Sequence, residues 1–300
     1  MKNIELFNRN LNQSSNESNE QEMFKKQIDL LLNSSLNRIK EKKLAVIIGA
    51  GKMNDFSLSF FVRKFDKTVV TDIDLLTVNE TIKYERFSKK ELERLERIRI
   101  EYTGFEKNHF FNDFKERIVN CQSYDKLEKV IKSKLDGLEN YRFLKEYNNR
   151  ADFMYVSPIF TQLVYNQLLR ECSVLRENRY PEHFIKYLEE ILLDEMIVVI
   201  DRFNNNLVNT LKDEGILFVL SDVFQVDIGS EFHMRISHGI KNFDVMEEIY
   251  SGYQQKYGTG LGDYGLINLD DKLTPQLSRW LIWPYDDEKE FVVKLKIYKK

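Results

Sequence analysis

Two glycines and an aspartate give the clearest chemical signal in this sequence. Gly49 and Gly51 follow the apolar run 44–48 and precede a segment whose apolar residues have helical spacing. Glycines at such a position allow a tight turn and let a ligand approach the backbone closely. Asp72 lies 21 residues after Gly51, at the end of the next apolar run. A carboxylate there can accept both hydroxyls of a ribose, so the spacing predicts a site for a ligand that contains adenosine.

The elements that must position these residues alternate between strands and helices. The run 44–48 is continuous and β-branched, which is typical of a strand buried on both faces of a parallel sheet. Helical spacing at 55–65 and a second strand at 68–71 complete a β-α-β unit, which pairs its strands in parallel. Further strands are predicted at 97–102, 151–156 and 215–220, and a C-terminal antiparallel pair at 280–283 and 291–298.

The residues that follow each strand are expected to meet at one place. Ligands of mostly parallel sheets bind beyond the carboxyl ends of the strands. We therefore expect one crevice, lined by residues 49–55, 72–74, 103–104, 157 and 221–222.

The remaining segments are predicted to be helices and loops around this sheet. A polar arm at 1–20 precedes a helix at 23–43, and a charged, mostly helical insertion is expected at 105–150. Helical spacing returns at 160–175 and 182–209. The stretch 251–265 holds five of the twelve glycines and predicts a flexible or tightly turning loop.

Composition excludes several broad classes. The chain has 300 residues with 42% hydrophobic and 31% charged residues, which is a globular and not a disordered composition. A net charge of −3 argues against a general binder of nucleic acid or anionic membranes. The polar N-terminus lacks the apolar core of a signal peptide, and Cys121 and Cys172 are expected to be reduced thiols. We expect a soluble, cytoplasmic protein.

Several segments resemble the class I S-adenosylmethionine-dependent methyltransferases. The resemblance runs from about 44 to 300. Within that class, the sequence is similar to poorly characterised bacterial members that carry a GxGxxND turn. The segments that carry the resemblance are AVIIGAG (45–51), VVTDID (69–74), ADFMYVSP (151–158), DEGILFVLSDV (213–223), the final hairpin, GAGKMNDFSL (49–58) and SRWLIWPY (278–285).

The resemblance implies a fold and a cofactor. The fold would be a Rossmann-like α/β sheet, mostly parallel with an antiparallel C-terminal hairpin and helices on both faces. Residues 1–43 would form an arm and a helix, and 44–300 a methyltransferase-like domain with its acceptor side near 230–275. The cofactor would be S-adenosylmethionine.

The resemblance also implies roles for individual residues. Gly49, Ala50 and Gly51 would pass under the methionine part of the cofactor, and Asp72 would hold the ribose. Ile73 would pack on the adenine. Ser157 would lie beside the methionine portion and the transferred methyl group.

Two positions depart from the family pattern. Ile47 stands where the family usually has an acidic residue, and Met53 stands where the fuller motif has a third glycine. Asp55 is a candidate for the missing carboxylate that would bind the amino group of the cofactor. Alternatively, Asp55 caps the helix that follows it.

The acceptor and the catalytic residues are not identified by the sequence. Methyl transfer from a sulfonium needs alignment and sometimes removal of a proton, so no universal catalytic residue is expected. A small molecule or a peptide is favoured over nucleic acid because of the net charge of −3. DNA is not assigned as the substrate, because residues 157–160 do not match the Asn/Asp-Pro-Pro-aromatic run of nucleotide-amine methyltransferases. His233 and His238 are five residues apart, which does not fit two ligands on one helix face, so no metal is expected.

Two other functions stay open at this point. One is a non-catalytic S-adenosylmethionine-binding or regulatory protein on the same fold. The other is an NAD(P)-dependent oxidoreductase, which would require Asn54 to replace the third glycine of a dinucleotide motif.

Overall fold

The structure is a computed structural model that describes residue 9, residues 19–286 and residues 288–300. The arm predicted at 1–20 lies outside the described residues, except for Arg9, Asn19 and Glu20.

One sheet of seven strands runs through the described residues, in the order β3-β2-β1-β4-β5-β7-β6. The first five strands in this order are parallel to one another, and β7 is antiparallel to both β5 and β6. The strands are β1 (Leu44–Ile48), β2 (Lys67–Asp72), β3 (Leu95–Arg99), β4 (Ala151–Val156), β5 (Leu211–Asp227), β6 (Thr274–Pro284) and β7 (Lys289–Lys299). In the dinucleotide-binding order the sixth strand lies beside the fifth. Here β7 separates them, and the expected class I methyltransferase type of sheet is confirmed.

Helices cover both faces of this sheet. They are α1 (Asn19–Leu36), α2 (Leu58–Lys64), α3 (Leu75–Tyr84), α4 (Lys89–Glu93), α5 (Phe114–Val119), α6 (Tyr124–Leu135), α7 (Tyr165–Glu177), α8 (Glu182–Thr210), α9 (Glu231–Gly239), α10 (Phe243–Tyr257) and α11 (Leu261–Asp270). Alternate residues of β1 enter two separate cores, with Val46 in one and Ile47 in the other. Helices α1, α2 and α3 pack into the core of Ile47, and α5 to α8 and α11 pack into the core of Val46. Both faces of β1 are therefore buried, as its continuous apolar run predicts.

The predicted strands exist, but several bounds differ. The strand expected at 97–102 is Leu95–Arg99, so Tyr102 lies beyond its end. The strand expected at 215–220 is part of a 17-residue strand, Leu211–Asp227, because its second half continues to pair with β7. The helix expected at 23–43 is Asn19–Leu36.

The insertion at 105–150 is less helical than expected. It contains α5, α6 and a 3₁₀ turn at Lys145–Tyr147. Its aromatic side chains Phe105, Phe110 and Phe114 are fully buried in the same core as Val46. The insertion is therefore part of the central packing and not a separate layer.

The prediction of a loop at 251–265 is wrong, because most of this stretch is helical. It contains the end of α10 and the start of α11, with a turn at 258–260 between them. A Cβ on Gly262 would lie 1.9 Å from the backbone oxygen of Asp222, and one on Gly265 would lie 2.5 Å from the ring of Phe160. These glycines let α11 pack closely on its neighbours and do not interrupt the helix.

Candidate functional site

A cavity of about 460 Å³ lies at the carboxyl ends of the parallel strands. It is lined by residues from the expected segments 49–55, 72–74, 157 and 221–222, together with β6 and β7. The expectation is wrong for Asp74, Thr103, Gly104 and Ser221, which are buried and do not line the cavity. The predicted site residues that line it are Gly49, Ala50, Gly51, Asp55, Asp72, Ile73 and Ser157.

The glycine turn has a backbone that requires its glycines. Gly49 and Gly51 have φ angles of +70° and +49°. A Cβ on Gly49 would also lie 2.9 Å from the Cδ1 atom of Ile159. Met53 has a φ of +57°, in the left-handed region that favours glycine. This explains why a third glycine suits that position in the fuller family motif.

Asp72 fastens the turn to β2. Its Oδ2 atom accepts the N–H of Gly51 at 2.8 Å, and its Oδ1 atom accepts the N–H of Asp74 at 2.8 Å. An ionised carboxylate has about four acceptor positions, so Asp72 can still accept from a ligand. Burial raises the pKa of Asp72 above its usual value, and the two backbone hydrogen bonds oppose that rise.

Tyr102 supports the turn from behind, and the sequence did not identify it. Its hydroxyl accepts the N–H of Gly49 at 2.9 Å and lies 2.8 Å from the hydroxyl of Thr71. Thr71 donates to the carbonyl of Ile47 at 2.7 Å, so Tyr102 donates to Thr71. Tyr102 is 53 residues from Gly49 in sequence. No local pattern could have joined them.

Asp55 does not cap the helix that follows it. The N-cap of α2 is Ser57, which donates its backbone N–H and its hydroxyl to Asp29 of α1 at 2.9 and 2.5 Å. Asp55 is buried and accepts the hydroxyl of Tyr155 at 2.8 Å. Burial raises the pKa of Asp55 above its usual value.

The start of α2 is poorly suited to a pyrophosphate. In dinucleotide-binding folds the glycine turn leads directly into a helix whose N-terminus faces the phosphates. Here Gly51 is separated from the first residue of α2, Leu58, by a loop. The N-terminus of α2 already holds the carboxylate of Asp29. These two features argue against an NAD(P) site.

Two more carboxylates line the cavity. Glu101 follows β3 and accepts the N–H of Thr103 at 2.8 Å and that of Glu106 at 3.2 Å. Asp222 on β5 accepts the hydroxyl of Thr161 at 2.9 Å through Oδ2. Its Oδ1 atom is buried and has no hydrogen-bond partner among the described residues. Burial raises the pKa of Asp222 to about 6.

The charge of the cavity favours a cation. Among the described residues, its lining contains four carboxylates, Asp55, Asp72, Glu101 and Asp222, and one basic side chain, Lys52. Burial raises the pKa of all four carboxyl groups, because removal from water penalises their charged forms. A positively charged ligand would stabilise those forms.

The far wall of the cavity is aromatic and comes from the C-terminal hairpin. Trp283, Tyr285 and Phe291 line it. Trp283 stacks on Phe24 of α1 with ring centroids 5.9 Å apart, and Tyr285 meets the ring of Phe291 edge-on at 5.1 Å. The segment SRWLIWPY, which contributes two of these rings, therefore lies at the site.

The proteins found to be similar to this chain are solved structures. No protein-family model matches the chain, and no curated protein matches it. The N-methyltransferase NodS from Bradyrhizobium japonicum, solved with S-adenosyl-L-homocysteine, has 11% identity and a TM-score of 0.39 over 91% of this chain and 87% of its own. An S-adenosylmethionine-dependent methyltransferase from Aquifex aeolicus has 13% identity and a TM-score of 0.41 over 97% of each chain. One from Methanosarcina mazei has 10% identity and a TM-score of 0.41 over 88% of this chain and 95% of its own.

These likenesses are too weak to assign a function. The fold rests instead on the strand order and on the antiparallel β7. In the described part of the chain, no helix is long and apolar enough to cross a bilayer. No group of three potential metal-ligating side chains comes together among the described residues. His233 contacts Glu290 at 3.1 Å, and Cys121 and Cys172 are buried free thiols.

Proposed function

We propose that this protein is an S-adenosylmethionine-dependent methyltransferase acting on a small molecule or a peptide. The observation that carries the proposal is the carboxylate-rich cavity beside the glycine turn. S-adenosylmethionine has a positive sulfonium, a positive ammonium and a negative carboxylate, so its net charge of about +1 matches a lining with four carboxylates and one lysine among the described residues. The pyrophosphate of NAD(P) is negatively charged and would be repelled by these carboxylates.

The proposal gives each predicted residue a task. Asp72 accepts the ribose hydroxyls with its remaining acceptor positions, and Ile73 packs on the adenine. Gly49, Ala50 and Gly51 offer a surface without long side chains to the methionine part.

Two further residues face the reacting end. Asp55 binds the ammonium group, and Ser157 lies near the transferred methyl group. The cofactor supplies an electrophilic methyl group, and the chain binds and aligns both partners. A binding protein without turnover would use the same residues and would differ only at the acceptor. A cytoplasmic location is part of the proposal and agrees with the two free thiols.

The test is a calorimetric titration with S-adenosylmethionine, S-adenosyl-L-homocysteine and NAD. We expect micromolar binding of the first two and none of NAD. Asp72→Ala should weaken that binding at least about tenfold, which corresponds to about 1.4 kcal/mol, because the ribose loses its acceptor. The matched control is Asp66→Ala, an exposed carboxylate before the same strand.

Three results would contradict the proposal. Binding of NAD alone would favour an oxidoreductase, and absence of any binding would make the glycine turn purely structural. Equal affinity in the wild type and in both variants would remove Asp72 from the site. The free energy of unfolding of Asp72→Ala, measured by chemical denaturation beside that of Asp66→Ala, separates a loss of binding from a loss of the turn.

A further inference from the structure

Asp222 occupies a fixed place on the acceptor side of the cavity. The pairing of β5 with β7 shifts register between Asp222 and Phe224, so the strand has a bulge there. Bulges redirect side chains and are frequent beside active sites. On the other side, Gly262 of α11 packs against the backbone oxygen of Asp222, and Ser221 donates to the carbonyl of Gly262 at 2.7 Å.

One oxygen of the Asp222 carboxylate accepts a hydrogen bond from the described chain, and the other does not. Asp222 lines the cavity, and Thr161 donates to its Oδ2 atom at 2.9 Å. Its Oδ1 atom is buried with no hydrogen-bond partner among the described residues. Two of the described carboxylates that share the cavity, Asp72 and Glu101, differ in this respect. Both oxygens of Asp72 and both oxygens of Glu101 accept hydrogen bonds from the chain. Oδ1 of Asp222 is therefore an acceptor that a ligand can use.

The place of Asp222 in the sheet separates it from the adenosine side. Strands β2, β1, β4 and β5 are consecutive neighbours, with Asp72 on the first and Asp222 on the last. Three strand spacings correspond to about 14 Å. A ligand whose ribose lies at Asp72 would place its sulfur close to the ribose, far short of β5. Asp222 therefore faces the position of the methyl acceptor.

Aromatic rings line the same cavity as this carboxylate. Phe291 lies on β7, the direct neighbour of β5, and pairs with Trp283 of β6. Both rings line the cavity. A carboxylate together with aromatic faces is a favourable environment for an ammonium group, through a charge-assisted hydrogen bond and cation–π attraction.

We propose that the methyl acceptor is a small amine, and that Asp222 binds its ammonium group and accepts the proton that this group must lose. An N–H bond breaks, its electron pair stays on nitrogen, and the proton goes to Oδ1 of Asp222. The nitrogen lone pair then forms the new N–C bond while the C–S bond breaks with its pair going to sulfur. The products are a methylated ammonium, a neutral thioether and a protonated Asp222, which returns its proton to water. This inference rests on the proposed function.

The test uses two small-molecule probes that are identical except for the group at the end of one arm. Each is an analogue of S-adenosyl-L-homocysteine in which nitrogen replaces sulfur and carries a short alkyl arm. The arm ends in an ammonium group in one probe and in a methyl group in the other. We expect calorimetry to show at least tenfold tighter binding of the ammonium probe to the wild-type protein. Asp222→Asn should abolish this preference and leave the affinity for S-adenosyl-L-homocysteine within about twofold.

The control variant is Asp227→Asn, an exposed carboxylate on the same strand, which should keep the preference. Equal affinity for the two probes in the wild type, or a preference that survives Asp222→Asn, would overturn the inference. A third probe with a hydroxyl arm that binds better than the ammonium probe would also overturn it in favour of an alcohol. Failure of S-adenosyl-L-homocysteine itself to bind would instead refute the proposed function, and the amine inference would fall with it.

Discussion

Single side chains from distant parts of the sequence hold the glycine turn in place. Gly51 is fixed by Asp72 and Gly49 by Tyr102, each through a backbone N–H. The glycines and Asp72 could be predicted, because a strand, a turn and the next strand end form a local pattern with a known spacing. Tyr102 could not, because only the folded sheet brings it to Gly49. Asp29 could not either, because only the packing of α1 brings it to Ser57 at the start of α2.

Replacing Tyr102 by Phe should loosen the turn. The N–H of Gly49 would lose its acceptor in a partly buried setting, which typically costs about 1–3 kcal/mol. We expect a lower free energy of unfolding by that amount and weaker binding of S-adenosyl-L-homocysteine. Chemical denaturation and calorimetry measure the two effects. Tyr84→Phe, at an exposed tyrosine on α3, should change neither. If Tyr102→Phe leaves both the free energy of unfolding and the binding affinity unchanged, the hydrogen bonds of Tyr102 with Gly49 and Thr71 do not support the site.

Replacing Asp222 by Asn should stabilise the protein in a pH-dependent way. The pKa of Asp222 is raised to about 6 in the folded protein, so the folded state binds its proton more tightly than the unfolded chain does. The free energy of unfolding of the wild-type protein therefore falls as the pH rises from about 4 to about 6. Above that range the loss reaches its full size of about 1–3 kcal/mol. The other titratable groups that line the cavity are Lys52, Asp55, Asp72, Glu101, Tyr102 and Tyr285.

The measurement is the melting temperature of both proteins from pH 4 to pH 8. We expect no gain for Asp222→Asn near pH 4 and a full gain near pH 8. Asp227→Asn should show no such trend, because its carboxylate is exposed. A gain of equal size at every pH would mean that the ionisation of Asp222 is not the cause.

At the scale of elements, α10 and α11 show how glycine content misled the sequence prediction. Glycine clusters usually mark turns, and the five glycines of 251–265 predicted one. Tertiary packing decides otherwise, because Gly262 and Gly265 lie where α11 approaches β5 and Phe160 too closely for a side chain. The same sequence property, a missing Cβ, serves a turn at Gly258 and a close helix contact at Gly262.

Two glycine-to-alanine substitutions should change the free energy of unfolding in opposite directions. Gly262→Ala would place a Cβ against the backbone oxygen of Asp222, so α11 must move, and we expect a loss of at least about 1–3 kcal/mol. Gly252→Ala, in the exposed middle of α10 with open space around it, should add about 0.5–1 kcal/mol by removing backbone freedom from the unfolded chain. Urea denaturation compares them. Stabilisation by Gly262→Ala would mean that the close contact is absent.

At the scale of the whole molecule, one continuous sheet links Asp72 on β2 to Asp222 on β5, across the whole width of the cavity. The strand types and the parallel order could be predicted, because β-branched runs alternate with helical spacing. The full length of β5 and the place of the insertion could not. Both depend on partners far away in sequence, β7 for the strand and the core around Val46 for Phe105, Phe110 and Phe114.

Ligand binding should therefore stabilise the whole chain. S-adenosyl-L-homocysteine at about 100 times its dissociation constant should add about 2.7 kcal/mol to the free energy of unfolding, because it binds the folded state alone. We expect a single calorimetric transition that moves to higher temperature as a unit. NAD at the same concentration should leave the transition unchanged. Two separate transitions, one of them insensitive to the ligand, would show that part of the chain folds independently of the site.

The position of β7 also has a consequence for the order of events during synthesis. A ribosome releases the chain from its N-terminus, so β5 and β6 emerge before the strand that must lie between them. Until β7 follows, both strands present backbone N–H and C=O groups that can pair with another nascent chain. The strands of the sheet can pair completely only when β7 has emerged. A chain interrupted after β6 is therefore expected to aggregate, and its glycine turn and Asp72 would be built beside a cavity wall that lacks Phe291.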